Sequence, residues 1–162
     1  MLTQAQKVTL KAAILADATA LPLWTAGDFP SLTVYVNAPT AQDAWRVSVP
    51  AADMVSALKF ATYDGIIAGK RDAFRLMLEF GPADASKASV RSGLADIFAT
   101  GGSYTDTAQL GKMLTEACVE KALWAETKLG FTTPAAVGGV TAIKRTFVGT
   151  VSIDELSALQ GV

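Results

Sequence analysis

The chain has no histidine among its 162 residues and one cysteine, Cys118. Without an imidazole there is no His-based general acid or base, no Ser-His-Asp or Cys-His nucleophile, and no zinc site with a nitrogen ligand of that kind. One thiol excludes an intrachain disulfide, C-x-x-C redox chemistry and a four-cysteine metal site. Charge is also scarce: Asp, Glu, Lys and Arg make up 18% of the chain, and 14 basic against 15 acidic residues leave a net −1. That removes the bulk electrostatic argument for nucleic-acid binding and leaves only local patches. No apolar run is long enough to span a bilayer, because residues 12–24 are interrupted by Asp17 and Pro22. Lys7 and Lys11 ahead of that run imitate a signal peptide, but Asp17 breaks its apolar region and the segment carries helix caps of its own.

What the chain has is apolar bulk. Hydrophobic residues make up 51% and mean hydropathy is +0.33, which is enough for one ordinary core and excludes disorder throughout. A surface so poor in charge is one that other subunits could cover. Thr3-x-x-Gln6 is a capping box that opens a helix over about 4–17. Residues 27–39 are ambiguous: Leu32, Val34 and Val36 alternate like a strand, and a short helix after Pro30 fits as well. Residues 45–49 read as extended, since Val49 precedes Pro50, which suits the first position of a helix bearing Met54, Val55 and Leu58.

Further helices are expected over about 63–80, 87–99 and 107–129, with Asp106-x-x-Gln109 starting the last and longest and Gly130 ending it. After Gly130 the texture changes to short Thr/Val/Ile/Phe runs. Residues 140–143 and 146–151 suggest two strands around Lys144-Arg145, and Ser152-x-x-Glu155 caps a final helix near 153–160. The expected fold is mainly α: a helical bundle over 1–130 with an extended, β-containing C-terminal arm over 131–162, in the same domain.

No constellation points to an enzyme. Glu116 and Glu120 would share a helix face, but a di-iron site of the bundle type also needs Glu-x-x-His. Gly69-Lys70-Arg71 lacks the upstream glycine and the Ser or Thr of a phosphate loop. Lys70, Arg71 and Arg75 cluster on one helix; a solvated face with an Arg75–Glu79 pair is the plain reading, and contact with a partner subunit is the functional one. Trp24, Trp45 and Trp124 read as core anchors, and Cys118 as a small buried hydrophobe. No catalytic residue, metal ligand or cofactor is expected.

Several segments resemble a family of small tailed-phage virion proteins. They are Met1-Leu2-Thr3 with Thr9-Leu10-Lys11-Ala12-Ala13-Ile14-Leu15-Ala16-Asp17, Trp45-Arg46-Val47-Ser48-Val49, Gly69-Lys70-Arg71, 86–96, and Phe147-Val148-Gly149-Thr150-Val151-Ser152. They follow the family's order over most of the chain. The family's basic Ala-Thr-Arg-Ala-Glu-Lys-like stretch is replaced here by 119–126, which has no arginine. A helical body with a C-terminal arm also resembles head-to-tail adaptors, which form a ring beneath the portal. The resemblance implies a non-enzymatic subunit in the neck or tail of a virion, made in the host cytoplasm and self-associated in a ring. Its partners would be the portal protein and the next tail protein, with non-specific contact to DNA in the channel, and no membrane or small-molecule substrate. On that reading the arm residues Phe131, Val140, Ile143, Lys144, Arg145, Phe147, Val148 and Val151, with Lys70, Arg71 and Arg75, are the partner-interface candidates. The competing readings are another virion role, such as decoration or fibre attachment, and a small helical nucleic-acid-binding module. That module would place Lys87, Arg91 and Lys112 on phosphates.

Overall fold

In a computed structural model, which describes residues 1–98 and 106–161, the protein is mainly α with a small β-containing region. The first three helices are α1 (Gln4–Ala16), α2 (Ala20–Ala26) and α3 (Phe29–Val36). The Thr3 capping box forms as expected, the Thr3 hydroxyl accepting from Gln6 N–H and the Gln6 carboxamide from Thr3 N–H. Asp17 then accepts from Thr19 and Ala20 N–H, both at 2.9 Å, and so starts α2. Gly27 ends α2 at φ 69°, the left-handed conformation that a Cβ disfavours. The ambiguous stretch after it is the helix: Asp28 accepts from Ser31 N–H, Leu32 and Val36 are buried one turn apart, and Val34 is left 74% exposed. A strand would have put all three side chains on one face.

Strand β1 (Pro39–Trp45) follows, then α4 (Ala51–Ser56), α5 (Phe60–Gly65), α6 (Ala68–Glu79) and α7 (Ala88–Phe98). The helix expected over 63–80 is thus two helices, and the regular strand lies ahead of residues 46–49. The longest expected helix is not one. After α8 (Thr107–Met113), capped by Asp106 as expected, the chain makes one π-helical turn, Leu114–Cys118. It then runs as strand β2 (Val119–Leu123) before resuming as α9 (Trp124–Lys128). No proline or glycine breaks it; β2 pairs antiparallel with β1, and those ladder hydrogen bonds override local helix propensity. The expected strands over 140–143 and 146–151 are corrected as well. The short pair is β3 (Phe131–Thr132) with β4 (Lys144–Arg145), at the residues expected to separate the strands. The last helix, α10 (Ile153–Ala158), has its Ser152/Glu155 capping box.

The chain folds into two compact units, and neither matches the division at residue 130. Unit 1 comprises residues 1–42, 121–132 and 145–162; unit 2 comprises 43–120 and 133–144. The boundaries therefore fall inside β1, β2 and β4. The expected arm is shared out between the two, because each half supplies apolar side chains that a helical core needs. Unit 1 packs Leu10, Ile14, Leu32, Val36 and Trp124 with Val151, Leu156 and Leu159. Unit 2 packs Trp45, Met54, Phe74, Leu94, Phe98, Leu110 and Met113 with Val140 and Ala142. Phe74 and Phe98 meet edge to face, with ring centroids 5.4 Å apart.

Candidate functional site

The interface candidates of the C-terminal segment divide sharply by burial. Val140, Ile143, Arg145 and Val151 are buried. They serve the cores of their own units, which corrects their expected place on a partner surface. Ile143 is held at both ends of its peptide within unit 2, its N–H donating to Asp43 O and its carbonyl accepting from Trp45 N–H, each at 2.9 Å. Phe147 is half-buried against the core of unit 1. Only Phe131, Lys144 and Val148 are exposed.

Arg145 makes the least expected contact. Its guanidinium donates to the Glu126 carboxylate at 2.9 Å, and both side chains are almost wholly buried. Glu126 also accepts from Leu123 N–H at 2.8 Å and Gly149 N–H at 3.1 Å. One carboxylate thus caps α9, fixes the turn before Val151 and neutralises Arg145. The signal in the sequence was Glu126 at the third position of a helix, hidden because that helix start was not expected.

The cationic cluster of α6 is not one site. Lys70 Nζ donates to the carbonyl of Asp96, Arg75 pairs with Glu79 at 3.5 Å, and Arg71 is half-buried. What sequence reasoning missed is a run of large exposed apolar side chains in the same stretch of sequence. Phe60, Ile67, Leu76 and Phe80 are 66%, 48%, 45% and 88% exposed within one stretch of 21 residues of unit 2. The missed signal was the helical spacing of Leu76 and Phe80 away from the buried Phe74.

The nucleic-acid module loses its central contact. Arg91 is buried, donating to the carbonyls of Ala85 and Ser86 at 2.7 and 2.8 Å while its guanidinium lies 4.9 Å from the Trp45 ring centroid. Lys87 and Lys112 pair with Asp84 and Glu116. The connection expected between the two helices lies partly outside the described residues. Glu116 and Glu120 do not share a helix face, since Glu120 is on β2 and faces Arg46. Among the described residues no cluster of three acidic or cysteine side chains is placed to hold a metal ion. Cys118 is buried, and burial pushes its thiol up to about 11, so it is a poor nucleophile near neutral pH. Trp45 and Trp124 are buried as core anchors, and Trp24 is half-buried, edge-on to Phe29.

Each unit has an open cleft among its described residues. One of about 400 Å³ in unit 1 is lined by Met1, Lys7, Ser152, Asp154, Glu155 and Ala158. One of about 250 Å³ in unit 2 is lined by Lys59, Asp106, Ala108, Gln109 and Lys112. In each an acidic lining side chain already serves as a cap: Glu155 holds Ser152 and Leu2 N–H, and Asp106 holds Gln109 N–H. Among the described residues no helix is long and apolar enough to cross a membrane. Comparison with protein families, with curated proteins and with solved structures found no match.

Proposed function

We propose that the chain is a non-enzymatic structural subunit of a tailed-phage virion, a head-to-tail adaptor that forms a ring below the portal and joins capsid to tail. The observation that carries the subunit reading is the display of Phe60, Ile67, Leu76 and Phe80 along residues 60–80. Single exposed apolar residues are ordinary; four large ones in one short stretch of a sparsely charged chain fit a surface completed by other proteins. Arg75, exposed on the same helix as Leu76 and Phe80, gives their neighbourhood a polar edge, as interfaces have. The virion assignment rests on the ordered resemblance of the N-terminal, Trp45–Val49 and Phe147–Ser152 segments. The absence of histidine and of a second cysteine supports the non-enzymatic part.

The test is electron microscopy and mass measurement of the purified chain, alone and with candidate portal and tail proteins. Rings seated on the portal are expected. A stable closed dimer as the only form, both free and in particles, would refute the adaptor reading. A salt-titrated DNA-binding measurement addresses the nucleic-acid module, for which a steep salt dependence would be the signature.

A further inference from the structure

Two helices, one in each unit, carry an outward apolar seam at heptad spacing. On α1 the seam is Ala5, Val8, Ala12 and Leu15, all exposed, while Leu10 and Ile14 face the core. On α6, extended by its capping residue, it is Gly69, Ala73, Leu76 and Phe80, again all exposed, while Phe74 faces the core. Steps of three and four residues make a narrow stripe, the pattern of a helix that packs on another helix. Neither stripe carries a charge.

The flanks differ in sign. The charged residues of α1 are Lys7 and Lys11, both on one side of its seam, with the Lys11 ammonium also 5.9 Å from the Trp24 ring centroid. The corresponding side of α6 carries Asp72 and Glu79 beside the seam, with Arg75 farther out and paired to Glu79, which leaves that side net negative. When two such helices pack antiparallel, these corresponding sides face each other. Two copies of α1 would then oppose lysines, and two copies of α6 would oppose two net negative sides. Antiparallel packing of α1 on α6 opposes lysine to carboxylate, and parallel packing does not.

We propose that α1 of one copy docks antiparallel on α6 of a second copy of this chain. The register that faces Lys11 with Glu79 also sets Val8 against Phe80, Ala12 against Leu76 and Leu15 against Ala73, so small side chains meet large ones. The exposed Arg75–Glu79 pair is weak and gives way at little cost. Because the two patches are different, the contact is heterologous and repeats from copy to copy, closing as a ring or growing as a filament. The inference deepens and rests on the ring-subunit reading for its role. Its test uses the isolated chain and no virion component, so either can fail without the other.

The experiment is sedimentation of the full chain at rising concentration, with disulfide trapping. Each seam is only about three turns long, well under a standard interface, so association is weak and concentration-dependent. K11E and E79K are each expected to weaken it about threefold to fivefold, and the K11E/E79K double variant to regain wild-type association. L76D weakens it more than tenfold, with circular dichroism unchanged because the site is exposed. An A12C chain mixed with an L76C chain forms a disulfide under mild oxidation, and neither alone does so. A chain that stays monomeric at about 1 mM, where even the weakest specific contact registers, would overturn the proposal. So would a double reversal no better than the single ones, or disulfides that form as readily within A12C or L76C alone.

Discussion

The two units solve the same problem, tying distant chain segments together, with a different balance of groups. Unit 1 leans on carboxylates that accept from backbone N–H groups, while its Asn37, Thr40 and Thr146 side chains also donate to the carbonyls of Val151, Ala122 and Leu129. Glu155 takes Leu2 N–H at 2.7 Å, Glu126 takes Leu123 and Gly149, Asp17 takes Thr19 and Ala20, and Asn37 takes Val151 at 2.8 Å. Unit 2 uses donors that reach for carbonyls. Arg46 holds Ala117 O at 2.9 Å, Arg91 holds Ala85 and Ser86, and Gln109 holds Ala57 O at 2.9 Å while its own oxygen takes Lys59 N–H. A guanidinium keeps its charge at any ordinary pH, whereas a carboxylate loses its acceptor strength when protonated. Unit 1 is therefore expected to be the more acid-sensitive of the two, and unit 2 to depend more on the buried rings of Trp45, Phe74 and Phe98.

The most damaging way to break this contrast is to strand a buried charge. Arg145→Met leaves Glu126 buried without its cation and is expected to cost about 3–5 kcal/mol, lost from unit 1. Phe74→Ala empties the middle of unit 2 at a similar cost, about 3–5 kcal/mol. Residue-resolved hydrogen exchange checks both. Each variant should deprotect its own unit first, and equal loss in both units would show one cooperative block.

A smaller effect is expected at Gly138, which sits at φ 56° with room for no Cβ: one built there lies 2.9 Å from Leu110 Cγ. Gly138→Ala should destabilise unit 2 by about 1–3 kcal/mol, measured by urea denaturation, with the fluorescence of Trp45 reporting on that unit.

Acid sharpens the comparison without mutation. Asp17 is held below the ordinary carboxylate range by Ala20 N–H, opposed by burial and helped by Thr19 N–H and the Tyr35 hydroxyl. At Glu155 burial pushes upward, but Ser152 and Leu2 N–H and the chain's α-ammonium outweigh it. Asp28 is lowered by its hydrogen bonds to Ser31. In unit 2 Asp106 is lowered, by Gln109 N–H first. A depressed folded-state value means stability that is full above the unfolded value, 3.8 for Asp or 4.5 for Glu, and lost as pH falls through the folded one. Near-neutral pH should change little, and below about pH 4.5 unit 1 should lose exchange protection before unit 2. The smallest effect is expected at the exposed cap of α1, where Thr3→Ala should cost about 0.5–1 kcal/mol in thermal denaturation.

A chain ending at Gly130 would lack Val151, Leu156 and Leu159, which belong to the core of unit 1. Their β-branched and aliphatic side chains looked in the sequence like an arm awaiting a partner. Composition cannot say whether such residues lie on another protein or on their own helices, because the burial that satisfies them is the same. The outward seams were hidden for a related reason. Val8 and Leu76 differ from Leu10 and Phe74 only by the side of the helix on which they fall, and the sequence does not say which side meets a core.

Where structure depends on neighbours a few residues apart, the sequence by itself determined it. The capping boxes at Thr3/Gln6 and Ser152/Glu155, the Asp106 cap and the mainly α class need only local hydrogen bonds and helical periodicity. Tertiary structure alone decided that residues 119–123 form a strand inside an otherwise helical pattern, since β1 lies about 80 residues away in sequence and supplies the ladder. It decided equally that Arg145 is buried on Glu126, 19 residues earlier, and that the C-terminal segment is divided between two units. Helix propensity is worth tenths of a kcal/mol per residue, about 0.7 at most for ordinary residues. Paired strands and a filled core outweigh it, and both depend on partners that no local stretch of sequence contains.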